Sequence, residues 1–164
     1  MEPRNPYGAP QAKLADPAPR PGSPYKAVAL GLATDFGGTI ALSVVLAFVH
    51  SVMLASGGMS AEEVEASLRT IDTGSWLFWV GGAGGCAFSG LGGYVCARVA
   101  GQSEYTPGAI LAVLVVVLGE VFFGGSNLDF GLNIVLHAVG VAAVMAGAWQ
   151  GKKRNRLART AAAQ

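Results

Sequence analysis

Asp35, Arg98, Glu120, Asn133 and His137 are polar or ionisable side chains set in apolar surroundings. Charged groups within a membrane span are costly, and they mark ion pathways, proton relays or paired charges. Asp35 lies nine residues past Lys26, about 13 Å along a helix. Read functionally, it is a proton or cation site whose carboxyl group alternates between charged and neutral forms. Read structurally, it is a hydrogen bond or ion pair to Ser89, Tyr94 or a snorkelling Arg98, locking two helices together. Glu120 and His137 are nearly equidistant from the middle of the segment Gly124–Phe130. An antiparallel hairpin sets them at one depth and predicts a Glu120–His137 contact, with Asn133 on the face of His137 at i, i+4. Such a pair either relays protons near neutral pH, where histidine titrates, or acts as interhelical glue worth roughly 0.6–2 kcal/mol.

Other chemistries are weaker on the residues. Ser89-Gly90 resembles the Gly-x-Ser-Gly setting of rhomboid-type intramembrane proteases, but Ala87 replaces the first glycine and the apolar segments are too few. Cys86 and Cys96 lie about 15 Å apart on one helix and cannot bridge each other. They read as packing residues. His50 stands without a cluster, which is weak evidence for a metal. No phosphate-cradling loop, catalytic carboxylate pair or Cys/His dyad appears. The expectation is no catalytic residue, no metal, no cofactor and no nucleic-acid partner.

The elements that position these groups are apolar helices. Only 13% of the 164 residues are charged, against about 25% in soluble domains, and mean hydropathy is +0.46. The central element is Trp76–Arg98. Along it Gly81, Gly85, Ser89, Gly93 and Ala97 recur every fourth residue, a flat stripe on a helix. In lipid there is little hydrophobic drive between helices, and close backbone approach across small residues provides the contact. Gly31, Asp35, Gly38 and Thr39 form a matching small and polar face on the preceding segment.

In chain order, residues 1–25 read as a disordered proline-rich tail, and 26–151 as a domain of four membrane-spanning helices. The spans are expected at about 27–54, 76–100, 107–123 and 131–150, followed by a basic tail over 152–164. Between the first two spans, Ser60 and Glu63 fit a capping box. Val64, Leu68 and Ile71 then share one face of a short amphipathic helix, about 61–71. Trp76, Phe78 and Trp79 fit an interfacial aromatic belt, and Pro107 suits the first turn of the third span. Of the eleven basic residues, all but Arg69 fall on one side of this arrangement, which marks that side as cytoplasmic. Both termini then lie there, as an even number of spans requires. The fold class expected is all-α: an integral membrane four-helix bundle with a short outer amphipathic helix.

Thr34-Asp35-Phe36-Gly37-Gly38-Thr39 and Gly92-Gly93-Tyr94-Val95-Cys96-Ala97-Arg98-Val99-Ala100-Gly101 resemble segments of small uncharacterised bacterial four-span membrane proteins. The resemblance covers parts of two spans. It implies a bacterial inner-membrane location and no particular activity. The functional expectation is non-enzymatic: a scaffold, accessory or assembly subunit in contact with lipid, packing through its glycine-rich helix against other subunits or copies of itself. The alternative is a small oligomeric ion- or proton-coupled transporter or channel using Asp35 and the Glu120–His137 pair.

Overall fold

The computed structural model describes residues 22–70, 72–101, 105–123 and 129–162. Nearly all of the expected N-terminal tail, Ile71 of the amphipathic face and most of the 124–130 loop lie outside these residues. The described chain is all-helical, with no strand among these residues. The helices are α1 (Pro24–Ser56), α2 (Ala61–Arg69), α3 (Trp76–Ala100), α4 (Tyr105–Phe123) and α5 (Phe130–Ala162).

Local chemistry sets the helix starts. The Ser23 hydroxyl accepts from the Lys26 amide while Pro24 opens α1, a position where proline's missing donor costs nothing. Ser60 and Glu63 form the expected reciprocal box at the head of α2. Ser75 accepts from the Phe78 amide to begin α3. Asp129 accepts from the amides of Gly131 and Leu132 ahead of α5, where a carboxylate also meets the positive end of the helix dipole.

Two of the helices, α1 and α5, are long and apolar enough to cross a membrane, and α4 is a shorter apolar helix. The observed α1 extends past the expected 27–54 at both ends. The larger difference is in α5, where the expected tail over 152–164 is instead helix as far as Ala162. The reason is tertiary as well as local. Lysine and arginine are good helix formers, and Asn155 and Arg159 reach across to the end of α3. The Asn155 amide donates to the Ala97 carbonyl at 2.9 Å, and Arg159 donates to the Gly101 carbonyl. Arg159 serves a carbonyl at the helix terminus, and Asn155 adds a second donor to the Ala97 carbonyl, which the Gly101 amide also reaches.

The architecture is centred on α3, which packs extensively on both α1 and α5. By comparison, α4 holds to α1, α3 and α5 more lightly, and α2 touches α1. The buried apolar core is Ala27, Cys96, Ala100, Leu111, Ala112 and Val144. The core lies toward one end of the bundle, here the basic end, where Lys26, Arg98 and the Lys152–Arg159 run gather. At the opposite end α2 lies by His50, whose ring is 6.3 Å from that of Trp76 and 3.5 Å from the Ser67 hydroxyl.

Glycine permits this closeness at particular positions. A methyl group added at Gly93 would stand 2.0 Å from the Val144 carbonyl oxygen, and one at Gly147 would stand 1.8 Å from that of Gly90. Neither atom can yield, because both belong to helix backbone. Across the α1–α3 contact, a methyl at Gly92 would meet the Gly31 carbonyl oxygen at 2.7 Å, and one at Gly31 would meet Leu111 and Cys96 inside 3.0 Å.

Candidate functional site

The packing stripe expected along α3 divides in two. Its lower part behaves as expected: Gly93 seats α5, and Ser89 is buried against α1. Gly31 and Gly38 on α1 are also contact glycines, Gly38 lying against the Phe88 ring. The upper part differs. Gly85 has open space where a side chain would project, as does its neighbour Gly82, and Gly81 touches only the tip of Leu46. A four-residue repeat drifts around a helix of ~3.6 residues per turn, so its two ends do not face the same neighbour. Close contacts that the repeat does not include fall at Gly92, Gly147 and Gly151. An i, i+4 glycine pair on α5 is the signal that points to the last two.

The space left by Gly82, Gly85 and, on α5, Gly140 is a cleft of about 310 Å³ between the upper halves of α3, α4 and α5. A second, smaller hollow of about 140 Å³ between α1, α3 and α4 is lined by Asp35. Thr39, Gly85, Ser89, Val115 and Gly119 belong to the walls of both. Each volume is many times the ~10–15 Å³ that a water centre requires. On the basic side of Asp35 the helices meet in the tight contact of Gly31, Gly92, Cys96 and Leu111.

Asp35 is only 2% exposed. The Ser89 hydroxyl donates to its Oδ1 at 2.8 Å. Of the three partners considered from the sequence, Ser89 is therefore the one engaged. Arg98 is drawn elsewhere, its Nη1 donating to Asn155 Oδ1 at 3.0 Å. Asn155 is the most informative residue the sequence reading passed over. It is the one uncharged polar side chain between Arg154 and Arg156, and it is buried.

At the mouth of the cleft, α4 and α5 bring Glu120, Asn133 and His137 together, as the hairpin geometry predicts. The Asn133 amide donates to Glu120 Oε1 at 2.8 Å, and His137 Nε2 lies 3.4 Å from the same oxygen. Gly119 lies beside the ring, where an added methyl would be in ordinary contact with Nε2 at 3.6 Å. His137 Nδ1 is 2.9 Å from the Asn133 carbonyl. A carbonyl only accepts, so Nδ1 carries hydrogen in that bond. Attraction between Nε2 and the Glu120 carboxyl group then requires one further proton between them. Imidazolium with carboxylate meets that requirement, and so does imidazole with carboxylic acid. The arrangement is a Glu–Asn–His cluster on the wall of one hollow, with a second carboxyl group lining its neighbour.

Among the described residues no group of three His, Cys, Asp or Glu side chains gathers to hold a metal ion. Cys96 is buried in the core and Cys86 is half-buried beside the cleft. Comparison of the chain with protein-family models, with curated proteins and with solved structures finds no match.

Proposed function

We propose that this chain is a four-span protein of a bacterial inner membrane, with both ends cytoplasmic, that admits a proton or small cation from the outer side to Asp35. Two helices are long and apolar enough to cross. The 25 residues of α3 extend about 37 Å at 1.5 Å per residue, more than the ~30 Å hydrocarbon core. Because α3 packs along both α1 and α5, a membrane around those two also surrounds it. The gathering of Lys26, Arg98 and the Lys152–Arg159 run at one end supports a cytoplasmic assignment for that end.

The observation that carries the reading is the buried Asp35 carboxyl group in a hollow that shares its walls with the cleft bearing Glu120 and His137. A carboxyl group with a single hydroxyl donor, shut from one side and reached from the other, suits alternating occupation. The inner barrier is contact of helix backbones, so release to the cytoplasmic side requires a helix to move. With its lighter packing, α4 is the candidate. The protein chemistry is binding and release, with no covalent step.

The test is flux in proteoliposomes. Wild-type protein is expected to acidify vesicles under an inward proton gradient or to pass a monovalent cation. Asp35→Asn is expected to lose at least about tenfold of that flux, and Glu120→Gln to slow it while keeping the same ion. Flux through a well-folded Asp35→Asn variant equal to wild type defeats the proposal, as does no flux of any monovalent ion from the wild type.

A scaffold or accessory role is the second reading. Of the α3 glycines, Gly84, Gly92 and Gly93 are taken up by close contacts inside the chain. The observation that favours it lies instead on α1, where exposed Gly37 has open space about it. With Ala33 and Ala41 it offers a flat face to another helix. Gly37→Leu is expected to break a homo-oligomer on a native gel if this face packs.

A further inference from the structure

Beyond the Asp35 cleft, on the other side of α3, a groove of about 500 Å³ runs between α3 and α5. Its floor is backbone, since Gly90 and Gly147 meet there without side chains. On α5 the positions Ala143, Gly147, Gln150 and Arg154 follow at i, i+4, i+7 and i+11, one straight face about 17 Å long. Leu91 and Tyr94 contribute the α3 wall. Cys86, Ala87, Leu91, Ala143 and Ala146 give the groove apolar walls, while its backbone floor, Tyr94, Gln150 and Arg154 supply polar lining.

Its character changes at the basic end. Gln150 and Arg154 also belong to an adjoining depression of about 390 Å³, completed by Trp149, Lys153 and Leu157. No residue lining either hollow is acidic. The Lys153 ammonium lies over the Trp149 ring, 5.8 Å from its centre. Among the described residues Arg154 makes no hydrogen bond or ion pair, in contrast to Arg98, which is bonded to Asn155. An apolar trough thus ends beneath two cations and an indole.

We propose that this trough holds one anionic phospholipid of the cytoplasmic leaflet. An acyl chain lies along Ala143, Ala146 and Gly147, and the phosphate sits between Lys153 and Arg154. Arginine presents forked donors to phosphate oxygens, and lysine adds a mobile point charge. Tryptophan is at home at headgroup depth, and basic pockets beside membrane helices select anionic headgroups. A soluble phosphate would use the cations and leave the trough empty. A helix from a second copy would fill the trough and leave the cations unneutralised. The inference rests on the membrane placement of α3 and α5 proposed above, and it is independent of any transport through the Asp35 cleft.

The full chain in mild detergent, examined by native mass spectrometry, provides the test, with phosphatidylglycerol, phosphatidylcholine and inorganic phosphate as probes. The expected result is one retained phosphatidylglycerol per chain, preferred over phosphatidylcholine by roughly tenfold or more. The preference is expected to fall away in the Lys153→Gln/Arg154→Gln double variant and to persist in Arg69→Gln. Ala146→Phe, which fills the trough and leaves both cations, is expected to lower retention of either lipid. Equal retention of the two lipids by the wild type overturns the proposal, and so does a preference that the double variant keeps. Inorganic phosphate that displaces the lipid at equal concentration overturns it in favour of a soluble-anion site. A dimer that forms without bound lipid and dissociates in Ala146→Phe overturns it in favour of a second copy. A chain released from membranes by alkaline carbonate defeats the membrane placement itself, which separates that failure from the others.

Discussion

Ser89 is a small residue with a large duty. It is buried, and its hydroxyl is the donor to a carboxyl group that is itself almost wholly enclosed. Leaving a buried acceptor without its partner costs about 1–3 kcal/mol, more when the group is charged. Ser89→Ala is therefore expected to lower the thermal midpoint in detergent by several degrees. The double variant Ser89→Ala/Asp35→Leu is expected to recover most of the loss, because an apolar pair asks for no hydrogen bond. Recovery no better than the single variant would show that the bond is not what holds the site. Outside the bundle, Glu63 gives a residue-level dependence on pH. Acceptance from the Ser60 backbone amide, and then from its side chain, holds its pKa below the ordinary 4.5. A lowered value means that the folded helix favours the charged form. The stabilisation is present above the ordinary value and is lost as pH falls through the folded one. The protection of amides at the start of α2, relative to their intrinsic exchange rate at each pH, is expected to fall below about pH 4.5, a change that Glu63→Gln would abolish.

Among the elements, α3 binds the molecule together because its two useful faces differ. One seats α1 through Gly92 and Ser89, the other seats α5 through Gly93 and Ala97. Each glycine on these faces has a distinct structural weight. Gly93→Ala must push a methyl group against the α5 backbone, and overpacking of that kind costs roughly 1–3 kcal/mol. Gly85→Ala projects into open space in the cleft, and alanine is the better helix former by about 1 kcal/mol. Unfolding in sodium dodecyl sulfate titrations is expected to come earlier for Gly93→Ala and no earlier for Gly85→Ala. The reverse order would mean that the cleft is closed. The α5 extension carries a related message. Asn155 and Arg159 hold it to the end of α3, so the basic run is a rigid helix and presents its cations in a fixed pattern.

At the level of the whole molecule, the four long helices alternate in direction and gather the basic residues at one end. The membrane reading makes that end cytoplasmic. Cysteine placed at Ser67, on α2, is expected to react with a membrane-impermeant maleimide from the outside of intact cells. Cysteine at Thr160, on α5, is expected to react only after the cells are opened. Labelling in the opposite sense would overturn both the orientation and the direction of the cleft.

Much of this was legible in the residues taken in order. Long apolar runs of helix-compatible residues predict the four long helices, and Ser60 with Glu63 predicts the start of α2, because these are local effects of hydrogen bonding and side-chain chemistry. The Glu120–His137 contact was legible too, because a hairpin with a short connection fixes which positions face each other. The cleft was not. Gly85 and Gly93 are the same residue type eight positions apart, and no local rule distinguishes a glycine that seats a helix from one that leaves a void. That distinction depends on where α1 and α5 cross α3, a property of three segments at once. The fate of the basic C-terminal run was hidden for the same reason. Its charges describe a solvated tail until Asn155 and Arg159 meet two carbonyls that belong to the end of another helix.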